Sequence, residues 1–317
     1  MLLNIVRSRY LDDPFFLSAG AVTATYGFAQ SAGGSLGFVS AVPPAINTLG
    51  LTAEVERTEA PTVSYVPLTG QAYADLLLGP IPIEALALLS VSGWELERVI
   101  RLGTSRLNML SSGGATTTSQ GSERQDARFA RAAALLGQLR RDDLLFFESV
   151  DGETAGNRIS LHFRPEALEN ADYKELTALL DLEAGRERFI FESGRGRRGS
   201  DTISVETRSF AAILRFLSLS VDVPEEDAAF VLPPPEPGAV EGGFSGTGSS
   251  ALIDIRHGTF ASRDEASVAV RYMGRHFIIE HADINSKATL AMLLQLFELV
   301  STQEAGVAPT LTLNVGR

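Results

Sequence analysis

The stretch from Ser267 to Arg317 constrains the fold more than any other part of this chain. Ser267 to Met273 alternates apolar and polar residues, as a half-buried strand does. Gly274 supplies a turn, and His276 to Glu280 returns as a second strand. Asp283 or Asn285 caps a helix on which Leu290, Leu293, Leu294, Phe297 and Val300 recur at helical spacing. Leu311 to Leu313 closes the unit as a further strand. The unit reads ββαβ. It carries packing signals and no recognisable catalytic pattern.

Such a unit must bury its apolar faces, and the composition allows it. The chain has 317 residues, 44% of them hydrophobic and 21% charged, which excludes global disorder and suits two or three subdomains. A formal charge of −12 argues against a nucleic-acid backbone as partner, because phosphates call for clustered cations. The absence of cysteine excludes disulfides, thiol catalysis and Cys-ligated metal clusters. No apolar run is long enough for a transmembrane helix.

The rest of the chain alternates helices with hairpins. Residues 2 to 10 predict a helix that ends before Pro14. Phe15 to Phe28 and Ser35 to Val42 predict a β-hairpin with its turn at Ser31 to Gly34, rich in small residues that let a second backbone lie close. Pro61 to Tyr65 reads as a strand, and Gln71 to Leu78, Ile83 to Ser92 and Glu95 to Leu110 as helices. Asp126 to Arg141 is the clearest helix, with Phe129, Ala132, Ala133, Leu136 and Leu139 on one face. Strands follow at Leu144 to Phe147 and Arg158 to Phe163, then a helix at Tyr173 to Glu183. Arg188 to Glu192 and Asp201 to Glu206 read as strands joined through a hairpin loop, and Ser209 to Leu219 as a helix. The expected fold is α+β, with mostly antiparallel sheets and helices packed on one face. The expected organisation is an N-terminal helix and hairpin (1–60), a mainly helical α+β unit (61–150), a second α+β unit (151–230), a Pro/Gly/Ser-rich linker or loop (231–250) and the C-terminal unit (251–317).

Candidate chemistry is sparse. Gly194 to Gly199 fits the spacing G-x-G-x-x-G, but a dinucleotide site needs a helix immediately after it, and Asp201 to Val205 reads as a strand. The glycines therefore fit a hairpin loop. Its cations, Arg195, Arg197 and Arg198, are the most basic spot on an acidic chain, where an anionic partner would dock or water would solvate a loop tip. His276, Glu280, His281 and Asp283 lack the helical spacing of a zinc pair, and strand alternation splits them between two faces. No metal and no cofactor is expected. Gly243 to Thr247 fails the nucleophile-elbow pattern at its last position. Arg271, Tyr272, His276 and Glu280 are the candidate liners of a pocket between the middle and C-terminal units.

Several phrases together carry a resemblance. They are Leu3 to Arg7 with Arg9 and Tyr10, Pro14 to Phe16, Pro61 to Gly70, Leu77 to Pro82, Ser92 to Trp94, Ser286 to Leu290, and Leu311 to Leu313. The chain resembles a family of uncharacterised proteobacterial proteins described as envelope lipoproteins, with no assigned activity. The resemblance implies a location on the periplasmic side of the cell envelope, with membrane contact only through an N-terminal lipid anchor. This sequence contains no cysteine to carry one. A cytoplasmic location stays open.

The leading expectation is a non-enzymatic envelope module for structure or protein interaction, working with a protein partner or with further copies of itself. Its rival is a small-ligand-binding protein or enzyme with the pocket named above.

Overall fold

The structure is a computed structural model and describes residues 1–36, 49–67, 70–112, 120–149, 158–196, 199–231, 252–258 and 266–302. It divides into two compact units, one made of Met1–Phe15 and Thr69–Ala305, the other centred on Phe16–Leu68. The fold is α+β.

The larger unit is built on a mixed six-stranded sheet. Helix α1 (Leu2–Arg9) precedes it in the chain, and the smaller unit supplies β1 (Leu17–Leu36) and β2 (Leu49–Pro67). Then come α2 (Gly70–Leu78), α3 (Ile83–Val91), α4 (Leu96–Gly103), β3 (Thr104–Leu107), β4 (Leu110–Ser111), α5 (Gln120–Arg141), β5 (Leu145–Ser149), β6 (Arg158–Phe163), α6 (Ala171–Leu180), β7 (Arg188–Ser193) and β8 (Thr202–Thr207). The sheet order is β4-β3-β8-β7-β6-β5. Cross-strand register aligns Leu145 with Phe163, Leu161 with Phe189, Phe191 with Ile203 and Val205 with Leu107, so these residues share one face. That face packs on Ile83 of α3, Leu96 and Ile100 of α4, Tyr173 and Leu176 of α6, and the predicted stripe of α5, all buried. These four helices lie on the apolar face, as the alternation in β6 and β7 requires.

The chain then runs through α7 (Phe210–Ser218), β9 (Arg256–Gly258), β10 (Ala266–Tyr272), β11 (Arg275–Glu280) and α8 (Ile284–Thr302). Ser209 caps α7 by accepting the amide of Ala212. The last three strands form an antiparallel sheet ordered β10-β11-β9. Met273 and Gly274 both take positive φ, 46° and 80°, the left-handed pair that a two-residue hairpin between right-twisted strands needs. Asp283 caps α8 by accepting the amide of Ser286. The buried face of α8 comprises Ser286, Thr289, Leu290, Met292, Leu293 and Leu296. Leu294, expected inside, is 44% exposed. The stripe is rotated because Thr289 and Ser286 turn inward to bond the carbonyl of Leu252 and the amide of Asp254.

Four expectations are corrected. The helix predicted at Glu95 to Leu110 stops at Gly103, and Thr104–Leu107 becomes β3 because it pairs with β8. Nonlocal pairing overrides local propensity there. The turn predicted at Ser31 to Gly34 lies inside β1, where Ser31 pairs with Glu54 and Gly34 with Leu51. The strand at Pro61 to Tyr65 does not open a new block but belongs to the same ribbon as β1. Finally, β7 and β8 are parallel, with Ile190 opposite Thr202 and Ser193 opposite Val205. The eight residues from Gly194 to Asp201 are therefore a return connection and not a hairpin turn. Fully extended, they would reach roughly 26 Å, long enough to double back along four residues of strand although shorter than the usual parallel crossover. The proposed linker from 232 onward and the strand at Leu311 to Leu313 lie outside the described residues.

Candidate functional site

The four candidate liners of the C-terminal hairpin do not all meet. Arg271 and His276 are cross-strand partners and share a face with Glu280. Glu280 is held in an ion pair by Arg256 Nη1 at 2.6 Å, and Arg256 also grips Asp254. Tyr272 points to the opposite face, where its ring meets that of Tyr10 edge-on at 5.3 Å. That inner face is a brace. The Tyr10 hydroxyl donates to Asp227 Oδ2 at 2.9 Å, and Arg275 Nε donates to the same oxygen at 2.9 Å. Arg275 also bonds Glu226. The Arg275 guanidinium, with desolvation opposing it and the Tyr10 hydroxyl assisting, holds the Asp227 carboxyl below its ordinary value. Burial and the bond to Asp227 push the Tyr10 hydroxyl well up, so it stays a donor at any ordinary pH.

The arginine-rich connection after β7 is partly neutralised. Arg195 makes a two-pronged contact with Glu206 at 3.0 and 2.7 Å, and Arg106 approaches the same carboxylate at 3.4 Å. The bond from Arg195 is the main reason the Glu206 carboxyl lies below its usual range. Arg197 and Arg198 lie outside the described residues. The connection leads into a strand, so no helix N-terminus is offered to a phosphate.

Among the described residues, no three His, Asp or Glu side chains converge in a way that would hold a metal ion. No helix among them is long and apolar enough to cross a membrane.

Two features escaped the sequence reading. The first is the face of β5, β6 and β7 opposite the helices, partly exposed among the described residues. Phe146, His162 and Arg188 lie side by side across β5, β6 and β7, and Arg158 pairs with Glu192 in a later rung. The rings of Phe146 and His162 are stacked, 5.2 Å apart and 16° from parallel. Glu148 Oε2 stands 2.9 Å from His162 Nε2 but off the donor axis, so that buried nitrogen forms no hydrogen bond. Strict polar–apolar alternation in Arg158–Phe163 was the available signal. The second is the length and character of the β1–β2 ribbon. Its strands run 20 and 19 residues, and among the described residues they form a sheet of two strands only.

Comparison with family models, with characterised proteins and with solved structures returns no match.

Proposed function

We propose that this protein is a non-enzymatic interaction module that assembles with further copies of itself through β1. One observation carries the reading. Strand β1 holds 20 consecutive residues without a single charge or proline, and its outer edge has no third strand among the described residues. Edge strands of soluble proteins normally carry charges, prolines or bulges that prevent edge-to-edge pairing. β2 has such guards in Glu54, Glu56, Arg57, Glu59 and Pro61, whereas β1 has only an irregular register between Ala19 and Val22. A two-stranded ribbon is marginal in water by itself, so further strands complete it.

The charges also select the occupant. Two β1 strands pair antiparallel about a two-fold axis with no like charges opposed. Two β2 strands would set glutamates against one another. The placement on the periplasmic side of the envelope rests on the family resemblance alone.

The test is sedimentation of the full chain across a concentration series, expected to show dimers or larger species. Proline at Thr25 and, separately, at Tyr26 should give one assembly-defective variant, because one of two successive residues presents its amide to the free edge. A monomer at every concentration sinks the proposal, as does assembly that survives both substitutions.

A further inference from the structure

Beside the start of β7, an open cleft of about 590 Å³ is lined by Gly185, Arg186, Glu187, Arg188, Ile190 and Asp201. That volume falls in the range of small-molecule sites. Its two arginines differ. Arg186 is committed, to Glu183 at 2.9 Å and Asp201 at 3.6 Å. Arg188 has no carboxylate within ion-pair distance among the described residues. Its Nε and Nη2 instead donate to one neutral acceptor, Ser160 Oγ, at 3.1 and 2.8 Å.

This contact does more than satisfy two donors. Ser160 is 1% exposed and fixed in the middle of β6, so it anchors a side chain that would otherwise wander. It occupies the Nε–Nη2 edge of the guanidinium. The Nη1–Nη2 edge, with parallel N–H groups at the spacing of two carboxylate oxygens, has no partner among the described residues. A cation oriented in advance loses less freedom on binding than a mobile surface arginine does.

The lining also limits the ligand's charge. Glu187 and Asp201 stand in the same cleft and offset its two arginines, so a singly charged ligand meets less repulsion there than a dianion or a phosphate does. Ile190, half-buried, offers an apolar wall beside the cation. We propose that the cleft beside Arg188 binds a small monocarboxylate, its two oxygens on the Nη1–Nη2 edge and its apolar body against Ile190. The site is independent of the β1 edge, and the outcome at one does not bear on the other.

The test uses the intact protein, with benzoate as the probe and neutral benzamide as its control. Benzoate in the millimolar range should shift the Nε–H resonance of Arg188 and the amide resonances of Ile190 and Asp201, and benzamide should not. Arg188→Gln should weaken benzoate binding roughly tenfold or more, as loss of a charge-assisted fork does. Ser160→Ala should weaken it by a smaller factor, because the guanidinium remains but is no longer held. Equal shifts from benzoate and benzamide would overturn the proposal. So would unchanged affinity in Arg188→Gln, or resonances that stay put at tens of millimolar benzoate.

Discussion

The hydroxyl of Tyr10 donates to Oδ2 of Asp227 at 2.9 Å, across 217 positions of the chain. Asp227 receives Arg275 at the same oxygen, so one carboxylate ties α1, the turn of helix at Glu225–Phe230 and the β10–β11 hairpin together. Tyr10→Phe keeps the ring contacts with Tyr272 and Phe277 and removes only the hydroxyl. The expected loss is about 1 kcal/mol in urea unfolding, since Arg275 still satisfies the carboxylate.

The same brace predicts a pH dependence. The Asp227 carboxyl is depressed in the folded state, so the unfolded chain binds its proton more readily. Its contribution is therefore complete above the ordinary aspartate value, near pH 4, and fades as pH falls through the lower folded value. The stability difference between the native chain and Asp227→Asn should shrink on acidification below about pH 4. A difference that stays constant down to acid unfolding would contradict the assignment.

Arg208 is 6% exposed and closes the C-terminal end of α4. Its Nη1 donates to the carbonyls of Arg101, Leu102 and Thr104 at the end of that helix, its Nη2 to Ser112, and its guanidinium lies 4.0 Å from the centre of the Phe216 ring. Burial pushes it down to about 9, which leaves it charged at pH 7. Arg208→Met fills the space but abandons buried carbonyls where α4 gives way to β3. The expected cost is about 3 kcal/mol, read as a lower urea midpoint at unchanged slope. Arg208→Lys should recover only part of this, because one ammonium lacks the planar fork.

Gly137 sits where α5 crosses α4. A Cβ there would meet Glu97 Cβ at 2.9 Å and the Glu97 amide nitrogen at 3.3 Å. Alanine would favour an isolated helix by about 1 kcal/mol. The atoms it meets belong to the base of Glu97 and cannot swing aside, so overpacking at about 1–3 kcal/mol wins. Gly137→Ala should therefore lower the thermal midpoint, against the sign that helix propensity gives.

The sequence by itself determined the elements whose causes are local. The β10–β11 turn follows from Gly274, the start of α8 from Asp283, and the buried face of α5 from the spacing of Phe129 to Leu139. Each signal lies within a few residues of what it specifies. Tertiary structure decided the rest. Residues 104–107 are a strand because β8 lies beside them, although their run reads as the end of a helix. The connection from Gly194 to Asp201 has the composition of a turn, and only the pairing of Ile190 with Thr202 makes its strands parallel. The candidate liners were split by the same kind of cause, since strand alternation sends Tyr272 to Tyr10 and leaves Arg271 with His276. Arg188 and Ser160 lie 28 residues apart, and neither is unusual in its own segment. Their meeting depends on the register of β6 against β7, which the burial of Ile159, Leu161, Phe189 and Phe191 fixes from the other side of the sheet. A shift of one residue would send every polar group into the core, so the packed face sets what the open face presents.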